Sequence, residues 1–148
     1  MNSFILKQAG HILFPALLVL SLIELYRGHN LPGGGFIGGL LAACAFILFA
    51  LGESMEAAAR RLKFSPVTLL IVGLSISVFS GILGFVAGES FMVGLWLPEF
   101  SLPLVGKVHL GTPVLFDVGV YFVVIGFTLQ SVFSLSALAE PRGEETDD

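Results

Sequence analysis

Four apolar stretches, each about as long as the hydrocarbon core of a bilayer is thick, constrain this chain more than any other feature. A helix needs roughly 20 mainly apolar residues to cross that core, and the stretches run about Phe4–Tyr26, Gly35–Gly52, Val67–Gly88 and Val114–Ala139. Lipid offers no water to bond backbone N–H and C=O groups, so such segments must satisfy them internally, as helices. Composition agrees: 55% of the 148 residues are hydrophobic and 12% charged, with a mean hydropathy of +0.95, whereas soluble domains carry about 25% charged residues. The expected fold is an all-α integral membrane protein with four transmembrane helices. Residues 1–139 form its transmembrane domain, and 140–148 form an acidic, disordered tail.

That tail accounts for most of the net charge of −4, because Glu140, Glu144, Glu145, Asp147 and Asp148 all lie in it. No basic cluster is interleaved with aromatics, which argues against nucleic acid as a partner. The lone Cys44 lies in an apolar run and reads as a small packing residue. Lys7 ahead of a hydrophobic run has the look of a secretory leader. However, no small-residue cleavage site precedes Glu24 and further spans follow, so the first stretch reads as a retained helix.

Boundaries and orientation follow from local chemistry. Pro15 should bend the first helix, since proline removes a backbone donor and clashes with the preceding turn. Ser65-Pro66 and Thr112-Pro113 each place a hydroxyl at a helix cap and a proline at the first helical position. Lys7, Arg60, Arg61, Lys63 and Arg142 would share one side of the membrane, against Arg27 and Lys107 on the other, which predicts cytoplasmic N- and C-termini. In the 89–112 connection, "FMVGLWLPEFSLPL" is too short and too broken by Pro98 and Pro103 to cross, and with Trp96 it reads as an interfacial segment.

The stretch from Arg27 to Leu41 contains Gly33, Gly35 and Gly38 in the order G-x-G-x-x-G. A dinucleotide site needs that pattern between a strand and a helix of a soluble unit; here it lies between two spans, so the context fails. Close packing is the alternative. Gly34, Gly38 and Ala42 line one edge of the second span, Gly35, Gly39 and Ala43 another, and the third span repeats the device with Gly73, Ser77 and Gly81 and with Ser80, Gly84 and Gly88. Such ridges let helix backbones approach closely in lipid. They exceed what one four-helix protein needs, which predicts helices of other chains as partners. Asn30-Leu31-Pro32 before the glycines is read either as a plain turn or as a tight re-entry that aims the first amides of the second helix at a neighbouring carboxylate.

Ionisable groups inside spans are the usual functional suspects because each is costly there. Lys7 and His11 lie one turn apart near the start of the first helix, where snorkelling makes them anchors. Glu24 and Asp117 fall on the opposite side with Arg27, His29, Lys107 and His109, a candidate polar cluster for an ion pathway or a subunit interface. The competing reading is that Asp117 only complements the positive start of its own helix. The second and third spans carry no charge, unlike a self-sufficient ion carrier. His11, His29 and His109 lack metal-ligand spacing, and no nucleophile motif suggests an enzyme.

"GHNLPGGGFIGGLLAA" at 28–43, the basic loop, the glycine-studded third span and "GTPVLFDVGVYFVVIGFTL" at 111–129 together resemble the MnhB/MrpB family, B-type components of multisubunit Mrp-type sodium/proton antiporters. The resemblance spans roughly residues 5 to 137. It implies four transmembrane helices in the bacterial cytoplasmic membrane, a hetero-oligomer with antiporter-like A and D subunits and several small ones, and no cofactor. It carries over His29 and Asp117 as motif residues, whereas Pro32, Gly33, Gly34, Gly35, Gly38, Gly39, Gly73, Gly81 and Gly84 are turn or packing positions by their own spacing. A subunit of a respiratory hydrogenase membrane arm and an autonomous small transporter are the alternatives.

Overall fold

The structure is a computed structural model that describes residues 4–28, 34–86, 88, 94–95, 100–102, 106–108 and 111–139. Its long helices fall on the four apolar stretches: α1 (Phe4–Arg27), α2 (Gly34–Gly52), α4 (Pro66–Val86) and α5 (Thr112–Ala139). Two small elements occupy the connections. Helix α3 (Met55–Arg61) follows α2, and an antiparallel pair, β1 (Phe100–Leu102) and β2 (Gly106–Val108), precedes α5 with Phe100 opposite Val108.

Helix starts are set by side chains that take up amides with no intrahelical acceptor. The Thr68 amide donates to Ser65 Oγ at 3.1 Å, with Pro66 opening α4 as expected. Ser54 caps α3 by accepting from the Ala57 amide. Thr112 departs from the expected cap: its hydroxyl accepts the Leu95 amide at 3.0 Å while its own amide donates to the Leu95 carbonyl, so it pins the 89–112 connection to α5. Helix α4 stops at Val86, two residues short of expectation, because Gly88 adopts φ +83, a left-handed conformation that ends the helix. Helix α1 runs through Pro15 without a break.

The four helices pack as a row in the order α1, α2, α5, α4. Helix α1 packs on α2, α2 on α5 and α5 on α4, while α1 and α4 do not pack on each other. Glycines make these contacts. A Cβ on Gly38 would stand 2.7 Å from the Ser21 carbonyl of α1, and one on Gly35 would overlap the Asp117 carbonyl of α5. Gly38 thus faces α1, while Gly34, Gly35 and Gly39 face α5 of the same chain. A Cβ on Gly73 of α4 would stand 2.6 Å from the carbonyl of Gly119 on α5, and Gly81 and Gly84 are buried. The glycines of α2 and Gly73 of α4 are therefore occupied within the chain. Cys44 points outward, exposed, instead of packing.

Because α2 is so thin, α1 and α5 reach across it. Ser21 and Tyr121, both buried, meet at 3.0 Å between hydroxyls. Ser21 spends its only proton on the Leu18 carbonyl at 2.9 Å, so Tyr121 must donate. Alongside this bridge Ala42, Ala43, Phe46, Ile125 and Leu129 form the main core, with Leu69 of α4.

Two outcomes follow. In detergent, Gly35→Ala lowers the thermal midpoint by the equivalent of about 1–3 kcal/mol, the cost of overpacking, whereas Cys44→Ala stays within about 0.5 kcal/mol. A double-mutant cycle of Ser21→Ala and Tyr121→Phe gives a coupling of about 0.6 kcal/mol, typical of a hydrogen bond between membrane helices.

Candidate functional site

Polar groups gather at the two ends of the helix row. At one end the chain leaves α1 near Gly28, and α2 and α5 begin. Gly34 opens α2 at φ +86, a conformation glycine adopts without strain. The Asp117 carboxylate stands beside that first turn, its two oxygens 3.1 and 3.4 Å from where a Cβ on Gly34 would lie. A carboxylate beside the unsatisfied amides of a helix start is electrostatically favoured. Of the two sequence readings of Asp117, the structure places it against the second helix as well as within the early turns of its own.

Asp117, half-buried, also lines a cavity of about 290 Å³ with Gly28, Ser80, Thr112 and Phe116. Two hydroxyls of α4 bond α5 carbonyls beside that space: Ser80 donates to Thr112 at 2.6 Å and Ser77 to Phe116 at 3.5 Å. They hold the α4–α5 seam closed beside the carboxylate. Farther along the seam, Leu74, Val78, Val120 and Val123 line an apolar groove of about 310 Å³.

The remaining sequence candidates divide. Glu24 pairs with Arg27 one turn on, at 3.4 Å, at the same end of the row. Lys107 lies on β2 opposite Ser101, and its side chain is outside the described residues. His29, His109, Pro32 and Gly33 also lie outside the described residues, as do Trp96, Pro98, Pro103 and the 140–148 tail.

At the other end, sequence reasoning missed a cluster. Glu53, the first residue after α2, accepts from Lys7 Nζ at 3.0 Å and from His11 Nε2 at 2.8 Å. The supposed anchors of α1 therefore tie that helix to the end of α2. The His11 hydrogen bond, then that of Lys7, holds the Glu53 carboxyl below its ordinary value near 4.5. Arg61 folds back from α3 and lays its guanidinium over Phe14 and Phe49, 4.7 and 4.5 Å from the ring centroids. The signal was available: Lys7 and His11 share a helical face, and an antiparallel hairpin of two spans returns Glu53 to their level.

Four apolar helices in an open row, joined through glycine contacts and, among the described residues, carrying charged side chains only near their ends, define a small multi-pass membrane component of a larger assembly. A family model for a domain related to the MnhB subunit of Na+/H+ antiporter matches residues 5–130, and the chain belongs to that family. It is 32% identical over 135 residues to the B-type Na(+)/H(+) antiporter subunit of Alkalihalophilus pseudofirmus, covering 91% of this chain and 93% of that one. With the corresponding antiporter subunit of Bacillus subtilis it shares 34% identity over 128 residues, 86% of this chain and 89% of the other. A chain in the solved Mrp complex from Dietzia sp. superposes with TM-score 0.75 and 34% identity over 97% of this chain, which spans 14% of that longer polypeptide.

The Glu53 cluster predicts an acid response. Because pairing lowers the folded-state pKa, its stabilisation is complete above about 4.5 and is lost as pH falls through the folded value. Thermal scans of wild type and Glu53→Gln should differ most at a pH above the ordinary carboxylate range and draw together as the pH falls through the lowered folded value.

Proposed function

We propose that this chain is the B-type component of a multisubunit antiporter exchanging sodium, or another monovalent cation, for protons across the bacterial cytoplasmic membrane. The observation that carries this reading is the family match over residues 5–130, together with end-to-end likeness to the B-type subunits of Na(+)/H(+) antiporters. The proton-motive force supplies the energy, inward proton movement being coupled to outward cation movement. The antiporter-like A and D subunits, with the other small subunits, are its partners.

Within that assembly the chain packs neighbours' helices in place and has no catalytic site of its own. Both termini and the α2–α4 connection face the cytoplasm, on the positive-inside argument. Asp117 is the residue with most at stake at the outer end: a carboxylate early in a spanning helix is retained against its insertion cost, and here it lies on a cavity. Glu24, His29, Lys107 and His109 contribute to the same outer polar region as ion-pathway or interface residues.

Affinity purification of the tagged chain should bring down the other subunits, and vesicles holding the chain alone should carry no sodium-dependent proton flux. Flux from the isolated chain overturns the subunit reading in favour of an autonomous transporter. Hydrogenase subunits in the purified complex favour the membrane-arm alternative. Asp117→Asn should leave complex abundance unchanged and lower sodium-dependent proton exchange about tenfold or more, on the scale of roughly 1.4 kcal/mol in the coupled step; undiminished exchange removes Asp117 from the pathway.

A further inference from the structure

The α2–α4 connection holds an arginine whose charge is not neutralised by a carboxylate among the described residues. The ion pairs formed there are Lys7–Glu53 and His11–Glu53, with Glu24–Arg27 at the far end, and none includes Arg61. Glu53, at the end of α2, is already engaged with Lys7 and His11. Glu56 lies in the first turn of α3, where its own amide and the Ser54 hydroxyl stabilise its carboxylate. The Arg61 guanidinium carbon lies 4.7 Å from the Phe14 centroid and 4.5 Å from that of Phe49, two rings tilted by 56° that hold the cation in place from two sides. The residue is exposed, as are Arg60 and Lys63.

The position of this guanidinium selects its ligand. Helix α2 ends at Gly52 and α4 begins at Pro66, so residues 53–65 lie where spans leave the hydrocarbon. Phe64, 61% exposed beside Lys63, gives the connection an apolar side chain to immerse next to a cation. A fixed, unpaired guanidinium at headgroup depth matches a phosphate, which accepts two parallel N–H bonds. Basic pockets between helices at this level bind anionic headgroups. A partner's carboxylate would satisfy the charge but would not account for the exposed phenylalanine beside it.

We infer that Arg61, held on Phe14 and Phe49 and supported by Lys63, binds the phosphate of an anionic phospholipid at the membrane boundary. This goes beyond the proposed transport role and does not depend on it. The test uses the intact purified complex and a photoactivatable phosphatidylglycerol, with labelled peptides mapped after digestion. Label is expected on the 54–64 segment, competed by unlabelled phosphatidylglycerol but not by phosphatidylcholine or by about 10 mM inorganic phosphate. Arg61→Gln should cut that label about fivefold, and Arg61→Lys less, since an ammonium keeps charge without the stacked fork. Arg27→Gln, at the other end of the row, should leave it unchanged.

Equal labelling by a phosphatidylcholine probe overturns the inference, as does label indifferent to Arg61→Gln. Displacement by inorganic phosphate overturns the lipid source, and a zero-length cross-link joining a neighbouring subunit's carboxylate to this segment overturns the lipid altogether. Should Arg61→Gln fail to assemble, the wild-type competition series and Arg61→Lys carry the same decision.

Discussion

The structure depends on α2 having almost no side chains where its neighbours touch it. Lipid tails are as apolar as leucine, so membrane helices gain little by hiding apolar surface and associate through close packing and interhelical hydrogen bonds instead. Gly38 admits the α1 backbone and Gly35 the α5 backbone, each closer than any Cβ would allow. The buried Ser21–Tyr121 hydrogen bond is possible only because the helix between them is thin there. Take the glycines away and the row loses both its spacing and the polar brace that crosses it.

Polarity is handled by position. The interior of the row is hydrocarbon and small residues, and the polar groups there find partners within the chain, as Ser21, Ser77 and Ser80 do. Charge collects at the two boundaries. At one, Asp117 meets the start of α2; at the other, Glu53 gathers Lys7 and His11 while Arg61 rests on aromatic rings. The same economy explains why helix lengths differ: at 19 residues α2 is about 28 Å long and at 28 residues α5 about 42 Å. The surplus turns of α5 carry Phe133 and Ser136 to the level of α3, where they line a cavity with Met55 and Ala59.

Much of this was legible beforehand, for reasons that can be named. Span number follows from hydropathy because lipid forbids unpaired backbone, and the α4 boundary follows from Ser65-Pro66 because capping is local chemistry. The neighbouring carboxylate anticipated at the start of the second helix materialised as Asp117, some 80 residues away, but only the folded chain could choose it. Helix order was not legible: small-residue edges announce close contact without saying with whom, and only the folded chain shows that those of α2 serve α1 and α5. Thr112 had the right residue types for a cap, yet a tertiary bond to Leu95 claimed its hydroxyl. Lys7, His11 and Glu53 escaped because their meeting is a matter of level across a hairpin, which no single window of sequence displays.

A row with unjoined ends encloses nothing. Helices α1 and α4 do not close on each other, so the four described spans surround no lumen, and whatever moves along them must travel in an open trough on one side of the row. The second bank of such a trough comes from whatever packs against the open side, a neighbouring subunit or another copy of this chain.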